Sequence, residues 1–148
     1  KLTENKRIEL DKEIAMNCPG NDLIVRCPED IVDISRDHLR VHEHSEEYMY
    51  MLCLNTKNRV IGVFEISHGS VNSSIVSSRE IFQKALLANA VQIALIHNHP
   101  SGDPTPSNED IFVTQKLKEL GDFLGVPVID HVVIGDTHVS LREHGHFE

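Results

Sequence analysis

A short apolar run that ends in two histidines most constrains how this chain can fold. Val91 to Ile96 is rich in β-branched residues, which is typical of a central strand, and it leads directly into His97-Asn98-His99. The next segment, Pro100 to Pro106, contains three prolines and one glycine and cannot continue a regular structure. Ser107 is a natural N-cap for a helix with apolar residues at helical spacing, namely Phe112, Val113, Leu117, Leu120 and Leu124. The segment therefore predicts a strand, a stiff loop and a helix in succession.

Strand and helix patterns also alternate in the rest of the chain. Pro28 can open a helix, and Ser77-Ser78 can start another that ends at Asn89. Two pairs of strands are predicted as hairpins: Tyr48–Asn55 with Arg59–Ile66, and Val128–Ile134 with His138–Leu141. This order predicts an α/β fold, a single domain with a mixed β-sheet flanked by helices over residues 28–148. Residues 1–27 are expected to form an N-terminal arm or a short helix.

Composition limits the class of protein. The chain has 148 residues, the size of one domain, and no apolar run approaches the ~20 residues of a membrane span. Its start is polar, so no signal peptide is expected, and because it begins with Lys1 rather than methionine we expect further residues upstream. Cys18, Cys27 and Cys53 form no CxxC pair, which favours reduced thiols in a cytoplasmic protein. The net charge of −9 argues against direct nucleic-acid binding.

The two histidines and a nearby acid suggest a metal site. Alternate residues of an extended strand point the same way, so His97 and His99 can share one ligand. Asp110 lies in the first turn of the helix after Ser107, and these two residues share a helix face. Each residue also has a structural explanation: the histidines could be loop residues, Ser107 a helix cap and Asp110 an acid favoured by the helix dipole. Two imidazoles and a carboxylate are nevertheless the set expected of one catalytic Zn²⁺ per chain.

A zinc hydrolase also needs a carboxylate that carries protons without binding the metal. Glu65 is our candidate, because it stands between Phe64 and Ile66 near the end of a predicted strand. Two alternatives stay open. Glu80 has the position of a first-turn helix acid, and Glu109 neighbours Asp110 but should point away from its face.

The full pattern resembles a known family. His97-x-His99-x7-Ser107-x2-Asp110, with Glu65 upstream, is similar to the JAMM signature of the JAB/MPN+ metalloproteases. The longer string His97-Asn98-His99-Pro100-Ser101-Gly102-Asp103-Pro104-Thr105-Pro106-Ser107 resembles the RadC branch of that family. The similarity continues through Thr56–Ile61, Ser78–Ile81 and Pro127–His131, and so covers roughly Pro28 to Gly145.

The resemblance implies a cytidine-deaminase-like α/β fold, the JAB/MPN fold. It implies zinc bound by His97, His99 and Asp110 with a water as fourth ligand. In that family pattern Glu65 would accept the proton of the water and pass it to the leaving amine. The Ser107 hydroxyl would help to stabilise the oxyanion.

Two classes of function follow. The first is a zinc-dependent hydrolase that cleaves an amide, peptide or isopeptide bond in a peptide, protein or small amide substrate. The alternative is an accessory protein of DNA repair or of mobile elements that acts through protein partners. RadC-like proteins usually carry an N-terminal helix-hairpin-helix region, and residues 1–27 contain no such repeat, so no direct nucleic-acid contact is expected. A deaminase is disfavoured because the chain lacks the PCxxC motif. No membrane association is expected, and exposed strand edges make a homodimer plausible.

Overall fold

A five-stranded mixed sheet forms the centre of the protein, in a computed structural model that describes residues 23–69 and 76–147. The strands are β1 (Tyr48–Leu54), β2 (Val60–His68), β3 (Gln92–Asn98), β4 (Val128–Ile134) and β5 (His138–Ser140). Their spatial order is β2-β1-β3-β4-β5. β1 pairs antiparallel with both β2 and β3, β3 pairs parallel with β4, and β4 pairs antiparallel with β5. The mixed sheet and both hairpins are confirmed.

The helices begin where the sequence predicted, although the helix predicted to end at Asn89 ends at Leu87. α1 (Pro28–Asp33) has Pro28 at its first turn and continues as a π-helical turn, Ile34–His38. A 3₁₀ turn, Val41–Glu43, precedes β1. α2 (Ser78–Leu87) is capped by the Ser77 side chain, and α3 (Asn108–Leu124) is capped by Ser107 and ends at Gly125, whose φ is 77°. A positive φ of this kind is the left-handed conformation that glycine adopts without a steric penalty.

Each face of the sheet is covered by helices and has its own buried apolar cluster. On one face α2 and α3 pack over β1 and β3 through residues that include Met49, Leu95, Ile81, Val113 and Leu117. On the other face α1 packs over Leu52, Ile96 and Val132. The result is a single domain with a three-layer α/β/α arrangement, consistent with the JAB/MPN fold.

Most of the predicted N-terminal arm lies outside the described residues. Of its last part, Ile24 forms a bridge with Arg59, and the Leu23 carbonyl accepts a hydrogen bond from Val60 N at 2.8 Å. Cys27 and Cys53 are free thiols. Within the described ranges no helix is both long enough and apolar enough to cross a membrane.

Candidate metal centre

The two histidines of the predicted site lie at the carboxyl end of β3. His97 is the penultimate residue of the strand and is fully buried, and His99 follows the strand directly and is partly exposed. Their Nε2 atoms lie 2.9 Å apart. Asn98, between them, points elsewhere and holds the start of β1 through a 2.7 Å bond from Tyr48 N to its side-chain oxygen. The predicted alternation of side chains, with His97 and His99 on one side and Asn98 on the other, is present in the structure.

The proline-rich loop after His99 is fixed by hydrogen bonds at both of its sides. The His99 ring contacts the Asp103 carbonyl through Nδ1 at 2.8 Å, and Gly102 N donates to the His99 carbonyl at 3.0 Å. On the other side Asp136 N, in the turn between β4 and β5, donates to the Gly102 carbonyl at 2.7 Å. The Arg36 side chain, from the π-helical segment, donates to the Gly135 carbonyl of the β4–β5 turn at 3.1 Å. The loop is therefore held between His99 and the β4–β5 turn.

Helix α3 brings the carboxylate of Asp110 to the histidines. Ser107 and Asp110 form a capping box, in which Asp110 N donates to Ser107 Oγ at 3.1 Å and Ser107 N donates to Asp110 Oδ2 at 2.8 Å. The same carboxylate places Oδ1 at 3.2 Å from His97 Nε2 and Oδ2 at 3.2 Å from His99 Nε2. Asp110 is only 2% exposed. The structural role of Asp110 at the helix start and its position in the cluster are therefore compatible.

The distances within the cluster fit a small divalent ion. Bonds of about 2.0–2.1 Å in a tetrahedral arrangement place neighbouring ligand atoms about 3.3 Å apart. The three contacts of His97, His99 and Asp110 are 2.9, 3.2 and 3.2 Å. Among the described residues this is the group of histidine, cysteine and acidic side chains whose donor atoms converge closely enough to hold a metal ion. The donor set, two imidazoles and one carboxylate, is also the type that zinc prefers.

The electrostatics of the cluster favour a cation. Burial raises the pKa of Asp110, but the hydrogen bonds with His97 and His99 lower it by more, so its pKa lies well below the usual range. The hydrogen bond with Asp110 raises the pKa of His99, although burial opposes this. A buried, ionised carboxylate thus attracts a positive charge to the His99 ring. A divalent metal can supply that charge in place of a proton.

Two residues that the sequence analysis did not assign to the site complete its buried side. His131, on β4, is fully buried, and its Nε2 lies 2.8 Å from His97 Nδ1. Its other nitrogen, Nδ1, lies 2.5 Å from the hydroxyl of Thr114, which donates to the Asp110 carbonyl at 2.6 Å. Burial, followed by the charge of His97, holds the pKa of His131 well below its ordinary value. The sequence indicates the burial of His131, because this residue lies within an apolar run typical of a buried strand, but it does not indicate the contact with His97.

The predicted Ser107 lies beside the cluster. Its side chain is exposed, and its Oγ accepts the bond from Asp110 N, so the cap does not use the hydroxyl hydrogen. That hydrogen remains able to point toward a bound substrate oxygen. The catalytic role of Ser107 stays a prediction.

The predicted Glu65 lies on β2, two strands away from β3. It pairs with Tyr50 on β1, which pairs with Ile96 on β3, so its backbone is about 10 Å from β3 at a strand spacing of about 4.8 Å. Its side chain lines a cavity with Ser67, Glu80 and Lys84, beneath α2. α2 covers the face of the sheet to which His97 belongs, because His97 pairs with Met49 of that core cluster. By strand pairing, however, Glu65 aligns with Tyr50 and Ile96, which belong to the apolar cluster of the opposite face, so it is not placed beside His97. Glu65 lies outside the group of converging ligands, and its role as a base stays a prediction.

The two alternative bases are both exposed. Glu80 is exposed in the first turn of α2, at the rim of the same cavity as Glu65. Glu109 is exposed on α3, one residue before Asp110. A proton carrier needs to approach the reacting atoms while avoiding the metal, and of the three acids Glu65 is the one that is partly buried.

The mixed sheet between helices, with histidines at the end of a central strand and an acid at the next helix start, defines a JAB-type α/β domain with a candidate metal centre. The family model described as RadC-like JAB domain matches residues 25–146. The chain belongs to this family.

Curated relatives agree with this assignment. The chain is 43% identical over 142 residues to a UPF0758 protein of Caldanaerobacter subterraneus subsp. tengcongensis, covering 95% of this chain and 60% of that protein. It is 44% identical over 141 residues to a UPF0758 protein of Listeria monocytogenes, covering 95% of this chain and 62% of the relative. The chain thus spans about three fifths of the length of these relatives.

Proposed function

We propose that this domain is a zinc-dependent hydrolase that cleaves an amide, peptide or isopeptide bond. The observation that carries the proposal is the convergence of His97, His99 and Asp110, with donor atoms 2.9–3.2 Å apart, on the edge of a partly exposed loop. His97 and Asp110 are buried, whereas His99 is partly exposed, so the cluster has one side open to a substrate. Three protein ligands with one open side are typical of catalytic rather than structural zinc, which supports the proposal.

A zinc ion held by these three residues would supply a Lewis acid that makes a water molecule nucleophilic near neutral pH. The residues of the chain would do the remaining work. Glu65 would accept one proton as the water oxygen bonds to the carbonyl carbon, and would give that proton to the nitrogen as the C–N bond breaks. The Ser107 hydroxyl would donate to the carbonyl oxygen as negative charge develops there. The products are a carboxylic acid and an amine, so all atoms are accounted for.

The first test is the metal content of the purified chain by elemental mass spectrometry. We expect about one zinc per chain in the wild type and loss of zinc in His99→Ala and in Asp110→Asn. Asn keeps an oxygen that can accept the bond from Ser107 N, so Asp110→Asn removes the charge while the helix start is preserved. His144→Ala is the matched control, because His144 is exposed and outside the cluster.

The second test screens the zinc-loaded chain against peptides, isopeptide-linked peptides and small amides, with Glu65→Gln as the inactive control. Turnover by the wild type that is lost in Glu65→Gln, at unchanged zinc content, supports the proposal. A wild-type chain that stays free of metal after zinc is added would contradict it. The alternative function, as an accessory protein that acts through protein partners in DNA repair, would then be favoured over the hydrolase.

A further inference from the structure

We propose that two copies of this chain associate through the ends of α2 and α3, at the end of the molecule opposite the metal centre, rather than through a strand edge. The inference does not depend on the proposed hydrolase function. It starts from five large apolar side chains that the fold leaves exposed, here called the apolar end: Leu86, Leu87, Val91, Phe123 and Leu124.

The topology places these side chains at one end of the protein. α2 leads into the start of β3, and α3 leads into the start of β4. Because β3 and β4 pair in parallel, both helices end at the edge of the sheet where these two strands begin. Ile93 N donates to the Pro127 carbonyl at 3.0 Å and joins the two connections. His97 lies near the other end of β3, so the apolar end faces away from the metal centre.

A contact between the two helices brings their exposed side chains together. Gly121 of α3 approaches the Phe82 ring of α2 so closely that a Cβ at Gly121 would lie 3.4 Å from it. Leu86 and Leu124 lie one turn further along each helix, since residues three or four positions apart share a helix face. The two helices run in the same direction, so Leu86 and Leu124 are neighbours and Phe123 lies beside them.

The apolar end carries no charged side chain, although the chain as a whole is strongly acidic. The net charge is −9, so two copies repel each other in most orientations. Residues 85–92 and 123–129 contain no charged side chain, and Asp122, next to Phe123, is paired with Lys118 at 3.3 Å. A charged partner would find no complementary group on this surface. A second copy, in contrast, can bring its own apolar end against it without burying an unpaired charge.

The exposed apolar area has the size that a dimer needs. Phe123 is 87% exposed, and Leu86 and Leu87 are 56% and 61% exposed. The five side chains together present on the order of 500 Å² of apolar surface, in the range of the largest patches on soluble proteins. A standard interface buries about 800 Å² per partner, of which about 65% is apolar in homodimers. The apolar end can therefore supply the apolar part of a twofold interface in which the same surface serves both copies.

Sedimentation velocity of the full chain tests the proposal. We expect the wild type to sediment as a dimer at tens of micromolar. Phe123→Glu places two like charges opposite each other and should raise the dimer Kd by about a hundredfold or more. Phe112→Glu is the matched control, because Phe112 is a 57% exposed phenylalanine of the same helix at its other end. This control should sediment like the wild type.

A wild-type chain that stays monomeric up to about 100 μM would overturn the proposal, and the apolar end would then belong to a different partner. A dimer that persists in Phe123→Glu, or one that Phe112→Glu dissociates equally, would also overturn it, because the copies would then meet at another surface. Leu86→Glu, on α2, tests the same surface if Phe123→Glu does not fold. None of these measurements involves zinc, so their failure would leave the proposed function untouched.

Discussion

Ser77 and Ser107 each cap a helix, and comparing them allows the structural and catalytic roles of Ser107 to be separated. Ser77 Oγ accepts from Glu80 N at 3.3 Å at the start of α2, and Ser107 Oγ accepts from Asp110 N at 3.1 Å at the start of α3. Replacing either serine by alanine removes one such bond. We expect each variant to lose about 1 kcal/mol of unfolding free energy, because this is the typical contribution of a serine cap.

The remaining bond of the capping box keeps the cluster intact in Ser107→Ala. Ser107 N still donates to Asp110 Oδ2, so the carboxylate stays in position and the zinc content should be unchanged. For a chain of this size a loss of about 1 kcal/mol lowers the unfolding temperature by about 3 °C. Thermal unfolding by circular dichroism should therefore give similar shifts for Ser77→Ala and Ser107→Ala.

Only the rate should distinguish the two variants. Loss of one oxyanion donor typically costs about 10²–10³ in kcat, whereas a helix cap away from the site has no such effect. Ser107→Ala should show this loss on any amide substrate that the wild type cleaves, and Ser77→Ala should not. Equal rates in the two variants would refute the oxyanion role of Ser107. Loss of zinc from Ser107→Ala would refute the view that its hydroxyl is only a cap in the resting site.

Three further outcomes are expected. Zinc at about 100 times its dissociation constant should stabilise the wild type by about 2.7 kcal/mol against unfolding, and His99→Gln or added chelator should abolish this shift in thermal scans. Gly135→Ala should weaken zinc binding measured by titration, because the new Cβ would lie 2.3 Å from the Gly102 carbonyl and displace the loop. Unchanged zinc affinity would show that the β4–β5 turn does not hold this loop in place. With a chelator present, the wild type should have a larger free energy of unfolding in urea than His99→Gln. This difference should be largest below about pH 6.5, the ordinary pKa of a histidine, and should vanish as pH rises through the raised pKa of His99. An advantage that grows with pH would show that His99 does not pair with Asp110.

Much of the fold was predictable because its signals are local. The turn at Thr56–Asn58, the cap at Ser107 and the stop at Gly125 each depend on a few neighbouring residues, and the structure confirms all three boundaries within one or two positions. The convergence of His97, His99 and Asp110 was predictable for the same reason. Only a short loop separates the end of the strand from the start of the helix.

The residues that escaped prediction depend on pairing between distant segments. His131 meets His97 because β3 and β4 pair in parallel with Leu95 opposite His131, and no local pattern sets that register. Arg36 reaches the β4–β5 turn from a π-helical turn early in the chain, which periodicity in the sequence does not reveal. The position of Glu65 likewise depends on a register shift in the pairing of β1 and β2, between Met49 and Tyr50.

The fixed loop between His99 and Ser107 also bears on how such a chain can vary over evolution. Surface loops usually accept insertions and deletions freely. Here one added residue would lengthen the loop by up to about 3.5 Å, which is as large as the 3.2 Å between Asp110 and each histidine. The β4–β5 turn blocks the loop from bulging on its Gly102 side, since Asp136 N is bonded there. A change in the length of this loop would be selected against for as long as the three side chains must meet.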